Sequence, residues 1–469
     1  VNFYNELQKY SSNVAVVTER SEQISYKDLL DAADKVGDLV KKRCLIFAVC
    51  KNSFESIAGY LGLMRAGAVL VLVNQTIHSR LFENLIGRYR PEYLYLPKER
   101  ADLAGDAKIV GECGDYALLK TGGVSDYELH GDLALLLTTS GSTGSPKLVR
   151  LSYENIRSNA KAIAHYLGIL PTSRPITTMP MSYSYGLSII NSHLITGSSI
   201  ILNEATFMEG RFWEAVKQHK ATTFGGVPYT YEMLKKLRFD QMNLPSLQYV
   251  TQAGGKLSPE LSAEFVETCG KKGIKFYVMY GQTEATARMS YLPWEHARAK
   301  SGSIGIPIPG GDFWIEDDDG KVVDAHHVHG ELVYKGENVS WGYAESCMDL
   351  SHGNKNQGIL RTGDLAKQDE EGFYYIVGRK KRFLKMSGNR VNLDDVEQIV
   401  REAGYDCACA GADDDLKIYV AAGSENLQIK NYVSERTGIH HSRVSVVEIG
   451  RIPRNEAGKI LYAELDADV

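Results

Sequence analysis

The chain has 469 residues, a formal net charge of −5, and 43% hydrophobic and 24% charged residues. That is ordinary globular composition, too long for one simple core, and the length points to roughly two to four structural units. The mildly acidic balance, with no face dominated by Lys and Arg, argues against a nucleic-acid binder, and no apolar run reaches the ~18 residues of a membrane span.

In chain order, the N-terminus is polar, with Asn2, Asn5, Glu6, Gln8 and Lys9, so no secretory leader is expected there. Ser25-Tyr26-Lys27-Asp28 has the form of a capping box and precedes a helical pattern carrying Leu29, Ala33, Val36 and Val40. Leu45 to Val49 and Val69 to Val73 are continuous apolar runs, as buried parallel strands show. Ser152 opens a helix with Ile156, Ala160, Ile163, Ala164 and Leu167 on one face. Ser258-Pro259 reads as an N-cap followed by proline in the first turn, with the helix ending near Gly270 or Gly273. Phe276 to Tyr280 is the next strand, and Asp394 to Ala403 is an amphipathic helix. Strands alternate with helices, so the class is α/β. The texture changes near residue 380. The expected organisation is therefore a large N-terminal domain, 1–380, of parallel sheets flanked by helices, and a small α+β domain, 381–469. Seven cysteines are scattered without a repeating spacing, which suits free thiols in a reducing cytosol.

Five motifs carry chemistry. The apolar run Leu135-Leu136-Leu137 enters Thr138-Thr139-Ser140-Gly141-Ser142-Thr143-Gly144-Ser145-Pro146-Lys147. Backbone N–H groups, hydroxyls and one cation suit a polyphosphate. It is not a Walker loop, since Pro146 and Leu148 break that pattern; the plain alternative is a surface loop. Strand Phe276–Tyr280 runs into Gly281-Gln282-Thr283-Glu284-Ala285, where Glu284 offers a hard oxygen to Mg²⁺ and Thr283 a hydroxyl to phosphate. A simple strand-to-helix cap would look the same. Thr362-Gly363-Asp364 places a carboxylate after a glycine turn, fit for ribose hydroxyls or for an ordinary turn. Gly378-Arg379-Lys380-Lys381-Arg382 precedes Lys385 and Gly388; such a basic run ordinarily reads as solvated surface. Lys459 lies in Gly458-Lys459-Ile460, near the C-terminus, where a lone lysine is normally a surface group.

In this order and spacing, the five together resemble the adenylate-forming superfamily: acyl-CoA synthetases, peptide-synthetase adenylation domains and firefly luciferase. The resemblance covers nearly the whole chain. It implies that ATP and Mg²⁺ are used to convert a carboxylic acid to an acyl-adenylate, with a thiol of CoA or of a carrier protein's phosphopantetheine as acceptor. It assigns the β- and γ-phosphates to Thr138–Lys147. Tyr280 would stack on adenine, with Ala253-Gly254-Gly255 on its other face. Thr283 would contact the α-phosphate, Glu284 the metal, and Asp364 with Arg379 the ribose. Lys459 would bridge the acid's carboxylate and the α-phosphate. The small α+β domain would be mobile, with Lys381 as its hinge, and Gly388 would lie on the thiol's path. The mechanism the resemblance implies needs no nucleophilic protein residue.

The acyl site is expected around Tyr183, Ser184, Gly186, Val227 and Gln252. Tyr183 stands where many acyl-CoA synthetases carry histidine, and packing is its plain alternative. Ser184 stands where amino-acid-activating relatives place an aspartate for the α-ammonium. An ammonium buried there without a counter-ion would be poorly compensated, so an acid without an α-amine is favoured over a stand-alone amino-acid adenylation enzyme. Leu393 replaces a family proline. Any carrier protein is expected to act in trans, since no carrier segment follows Lys459. His326, His327 and His329, and the pair His440-His441, lack the spacing of a zinc motif. A non-catalytic nucleotide-binding regulator is disfavoured by the intact Lys147, Glu284, Asp364 and Lys459.

Overall fold

The computed structural model describes residues 3–123, 126–138, 147–380, 382–386, 389–421, 423–454 and 460–465. The chain is α/β, and its described residues fall into two compact units. The first takes in Val1–Thr139, Ser145–Asp312 and Tyr334–Leu360; the second takes in Phe313–Val333 and Arg361–Val469.

The first unit is built on a sheet of eight strands. Its centre is parallel: Leu45–Cys50 lies between Val69–Asn74 and Tyr93–Pro97, and Leu133–Thr138 extends it beyond Val69–Asn74. The apolar runs are continuous because both faces are covered. Ile46, Ala48 and Cys50 face one core with Leu70 and Leu72, while Leu45, Phe47 and Val49 face a second core with Val69 and Val71. Each such fully buried Leu, Ile or Phe is worth about 1.5–3 kcal/mol. A second sheet has the order Thr223–Gly226, Tyr249–Gln252, Lys275–Tyr280, Ser290–Leu292, Ile306–Pro307, the first three parallel and the last two antiparallel. Helices Pro228–Lys236 and Pro259–Lys271 follow the first two of these strands, as parallel neighbours require a crossover.

The caps behave as their residue types dictate. The Ser25 hydroxyl accepts from the Asp28 amide at the start of helix Tyr26–Gly37. That helix stops short of Val40, which is buried just beyond it. Ser152 and Asn155 form a reciprocal capping box at helix Tyr153–Leu167, and Ser258 caps Pro259–Lys271.

The second unit contains most of a four-stranded sheet and a C-terminal sheet of Cys407–Ala412, Asp415–Ala421 and Val444–Ile449, packed with helices Leu393–Glu402 and Asn426–Thr437. Here one member of the basic run departs from the surface reading. Arg382 is mostly buried, bonded to Asp394 and Glu397 at 2.6 Å each and stacked 3.8 Å from the Tyr462 ring. Lys380 pairs with Glu331 at 2.9 Å. Acidic partners beyond the run draw Arg382 inward while Lys380 stays exposed, a difference that a count of local charge does not register. Among the described residues no helix is long and apolar enough to cross a membrane.

Candidate active site

Strands Thr223–Gly226, Tyr249–Gln252 and Lys275–Tyr280 end side by side in matched register, Gly226 beside Gln252 and Gln252 beside Val278. The segments leaving their carboxyl ends carry Val227, Gly254, Gly255 and Gly281–Glu284, at the position where open α/β sheets bind ligands. Gly254 has φ +85°, and a β-carbon on it would stand 2.7 Å from the Tyr183 hydroxyl and 3.2 Å from Val227 Cγ1. Tyr183, Val227 and Gly254 therefore meet at one place. Gln252 Nε2 donates to the Gly255 carbonyl at 2.8 Å, fixing the loop between them. Gly186, in the helix Ser184–Leu194, closely approaches the Pro180 carbonyl.

The turn after Tyr280 is held against its own preference. Thr286 and Ala287 have φ +58° and +102°, conformations that cost non-glycine residues on the order of 1–3 kcal/mol each. What offsets this is a set of bonds from one segment. Thr286 Oγ1 donates to the Asn338 carbonyl at 2.6 Å, and Asn338 Nδ2 donates to the carbonyls of Ala285 and Arg288 at 2.8 and 3.0 Å. The Ser340 amide donates to the Glu284 carbonyl at 2.8 Å. The result positions two side chains. Thr283 Oγ1 lies 3.1 Å from Ser184 Oγ, and Glu284 Oε1 accepts from the Tyr343 hydroxyl at 2.6 Å. Burial first, and the neighbouring Glu284 next, push the Tyr343 phenol well above its ordinary value, so it stays a neutral donor.

Thr138 and Leu148 are paired across adjacent antiparallel strands, so the two ends of the phosphate-loop motif are brought together. Lys147 at its end pairs with Glu345 at 2.6 Å. Tyr343 and Ala344, which pair with Val149 and Leu148, belong to the same segment. Residues 343 and 345 thus reach Glu284 and Lys147 respectively, tying the two motifs to one stretch of chain. Thr139, Ser140, Gly141, Ser142, Thr143 and Gly144 lie outside the described residues. So do Lys381, Gly388 and Lys459.

In the second unit, Asp364 and Arg379 are paired residues of neighbouring strands. Arg379 Nε lies 3.1 Å from Asp364 Oδ1, and Asp364 is nearly buried while the arginine is half exposed. The Asp364 amide donates to Thr362 Oγ1, which fixes the turn before it.

Three residues escaped sequence reasoning. Tyr343 and Glu345 touch the motifs from about sixty and two hundred residues away in sequence. Arg288 is only 1% exposed. Its Nη1 donates to the Tyr166 hydroxyl at 3.1 Å and contacts Met279 Sδ at 2.6 Å; its Nε donates to Ser188 Oγ at 3.2 Å. Its guanidinium carbon sits 4.5 Å from the centre of the Tyr185 ring. The available signal was a charged residue set between Ala287 and Met289, at the start of an apolar strand.

Glu284 fits a magnesium ion chemically. It is a hard oxygen donor with acceptor capacity beyond the single bond from Tyr343, and Mg²⁺ in phosphate sites commonly needs only one or two protein carboxylates. Among the described residues no three His, Cys, Asp or Glu side chains cluster as an all-protein metal cage.

A family model described as AMP-binding enzyme matches residues 3–344. The 2-succinylbenzoate–CoA ligase of Bacillus cereus (strain AH820) is 28% identical over 449 residues, covering 91% of this chain and 88% of the relative. Two solved structures of o-succinylbenzoate CoA synthetase from Bacillus subtilis share the fold. The complex with the acyl-adenylate intermediate has a TM-score of 0.80 at 22% identity, covering 99% of this chain and 97% of the other. The complex with ATP and magnesium ion has a TM-score of 0.77 at 23% identity, covering 99% of each.

Proposed function

As a member of the AMP-binding enzyme family, this chain is an AMP-forming acid–thiol ligase that activates a carboxylic acid with ATP and passes the acyl group to a thiol, and we propose that CoA is the acceptor and that the residues divide the work as follows. The observation that carries the assignment is the strained 281–287 turn, which sets Thr283 and Glu284 at the ends of three parallel strands while residues 343 and 345 link Glu284 to Lys147. A carboxylate is a poor acyl donor because its leaving group would be oxide. Attack of its oxygen on the α-phosphorus makes a mixed anhydride and expels pyrophosphate. Thiolate then attacks the acyl carbon and AMP leaves.

Lys147 and the loop from Thr138 hold the terminal phosphates, and Lys147 exchanges its Glu345 partner for them. Thr283 donates its hydroxyl to the α-phosphate. Tyr280, Gly254 and Gly255 bracket the adenine, and Gly281 allows the turn to close beneath it. Asp364 takes ribose hydroxyls, with Arg379 keeping the carboxylate oriented. Mg²⁺, when bound by Glu284, supplies positive charge to the phosphates. Lys459 faces the charge that develops as the acid's oxygen joins the α-phosphate. We assign 381–469 as a small C-terminal domain carrying Lys459 and Gly388, with Lys381 as hinge and Gly388 beside the thiol's path. The seven free cysteines support work in a reducing cytosol.

Tyr183, Ser184, Gly186, Val227 and Gln252 line the acyl end. Ser184 meets a neutral hydroxyl on Thr283 rather than a carboxylate, so an α-ammonium would be left unpaired, at a cost on the order of a thousandfold in rate. The test is acid-dependent exchange of labelled pyrophosphate into ATP over a broad panel of carboxylic acids, including amino acids and their des-amino analogues. Exchange with des-amino acids and little with amino acids is expected. Folded, ATP-binding protein that exchanges with no acid refutes the assignment, and a preference for amino acids refutes the reading of Ser184.

A further inference from the structure

Glu397 carries a buried carboxylate whose acceptor positions are filled. Oε1 accepts from Arg382 Nη2 at 2.6 Å and from the Cys409 amide at 2.8 Å. Oε2 accepts from Arg401 Nη2 at 3.0 Å and from the Tyr462 hydroxyl at 3.1 Å. An ionised carboxyl group offers about four such positions. The helix Leu393–Glu402 builds the cluster: Asp394 and Glu397 stand one turn apart on one face, so both reach Arg382, and Arg401 follows a turn later. The two arginines thus face two carboxylates, and the charge taken out of water is balanced.

Tyr462 reaches this cluster from another segment. Its ring centre lies 3.8 Å from the Arg382 guanidinium carbon, a cation–π contact. Burial first, and the neighbouring Glu397 next, push its phenol well above the ordinary value, so it stays a neutral donor. Tyr462 comes three residues after Lys459. Residues 455–459 lie outside the described residues, but the chain is tied on both sides of them. Arg454 and Ile460 pair as an antiparallel bridge, and the Leu461 amide donates to the Pro453 carbonyl at 2.9 Å. Arg454 Nη2 bonds Asp406 Oδ1 at 2.6 Å. Leu465, 1% exposed, packs with Tyr419, Ile449 and Ile452. The backbone flanking Lys459 is therefore fastened to the C-terminal sheet, and Tyr462 adds a side-chain tie to the buried ion cluster.

We propose that Tyr462, held by Glu397 and Arg382, is a positioning residue for adenylate formation, and that it acts by fixing the base of the segment that carries Lys459. The proposal rests on the assignment of Lys459 to the charge that develops on the α-phosphate. A lysine ammonium ends a four-carbon stem with many rotamers, and a stem rooted in loose backbone would spend little time at the reacting atoms. A phenol seated in the last acceptor position of a buried carboxylate gives that root a single place. The demand exists in one half-reaction only. Attack on the α-phosphorus gathers negative charge that a cation must meet, whereas thiolate attack on the acyl carbon expels an AMP already formed. Glu397 itself is a poor probe, since removing it leaves Arg382 and Arg401 without their shared anion.

The experiment is a double-mutant cycle on the full chain, read by single-turnover kinetics of each half-reaction. Misplacing a reacting group by about 1 Å costs about 10²-fold, so Tyr462→Ala should slow adenylate formation about a hundredfold. Tyr462→Phe keeps the ring on Arg382 and loses only the hydroxyl, and should slow it about tenfold. Both variants should transfer acyl groups from pre-formed adenylate within about twofold of the parent. The decisive variant joins Tyr462→Ala to Lys459→Ala. With the lysine gone the tyrosine has nothing to position, so the double variant should form adenylate as fast as Lys459→Ala alone. A cluster that only holds the fold together gives the opposite result: losses that multiply in the double variant and fall on both half-reactions. Either of these overturns the proposal, as does a Tyr462→Phe enzyme with the parental adenylation rate, a measurement that does not depend on Tyr462→Ala folding. A Lys459→Ala enzyme that adenylates at the parental rate refutes the assignment of the lysine and the proposal together, whereas a slow Lys459→Ala with multiplying losses refutes the proposal alone.

Discussion

Gly281 is where backbone meets backbone. A β-carbon added there would stand 1.7 Å from the Ala287 carbonyl oxygen and 2.9 Å from Arg288 Cα. Ordinary carbon–oxygen contact lies near 3.3 Å, so Gly281→Ala requires the 286–288 backbone to retreat by roughly 1.5 Å, and no side-chain rotation can absorb the shift. That backbone is already strained and is fixed by Asn338. The cost should reach about 3 kcal/mol, the upper end for overpacking. Thr283 and Glu284 sit inside the displaced turn, and misplacement of about 1 Å in a positioning element lowers rate by about 10²-fold. The control is Gly87, exposed in the helix Ser79–Tyr89, where an added β-carbon meets nothing within 4 Å. Gly87→Ala should stabilise by about 0.5–1 kcal/mol. The assays are the midpoint of thermal unfolding and the rate of pyrophosphate exchange. A Gly281→Ala protein with midpoint and exchange rate close to those of the parent would refute the account of the turn.

Lys459→Ala should slow adenylate formation about 10²–10³-fold yet transfer acyl groups normally from pre-formed adenylate. Gly388→Leu should show the reverse, and Lys381→Pro should spare adenylation while impairing transfer. Single-turnover kinetics of each half-reaction decide this, and equal losses in both for Lys459→Ala would defeat it. Glu345→Gln removes the partner that Lys147 holds in the absence of phosphate. ATP should then bind up to about fivefold tighter by equilibrium titration, since a half-exposed pair is worth at most about 1 kcal/mol. His193 is held neutral by burial, its pKa lowered from 6.5 to about 4. The unfolded chain therefore takes up this proton first on acidification. Stability is lost from about pH 6.5 down to about pH 4, by on the order of 3 kcal/mol, and no further below. His193→Asn should flatten that part of the unfolding profile measured from pH 7 to 4.

What was legible in the sequence was local. Ser25, Ser152 and Ser258 announced their helices because a cap needs only the next three residues, and each makes that bond. The apolar runs at 45–49 and 69–73 read as strands because two-sided burial leaves no polar alternation to confuse them. Glu284 and Lys147 were recognisable by motif. Their partners were not, because Tyr343 and Glu345 become neighbours only when strand Tyr343–Ala344 joins the sheet edge beside Leu148–Ser152. Arg382 read as solvated surface for the same reason: Glu397 and Tyr462 are distant in sequence. Arg288 gave least away, since an arginine inside a strand–turn segment carries no periodic or motif signature.

Arg150, fully buried in the strand Leu148–Ser152, bonds carbonyl oxygens and no carboxylate: its Nη1 donates to those of Asp349 and His352, and its Nη2 to those of Trp341 and Gly353. The segment bearing Tyr343 and Glu345 is thereby strung like a bridge deck from a single pylon planted two residues past Leu148. Variation anywhere from 341 to 353 then has a route to Glu284 and Lys147 without touching either. A changed residue that slackens one of these four bonds alters the reach of Tyr343 and Glu345 together. Variants in this outlying segment should accordingly behave in selection experiments like damage to Glu284 and Lys147, and a second change that restores tension near Arg150 should rescue them.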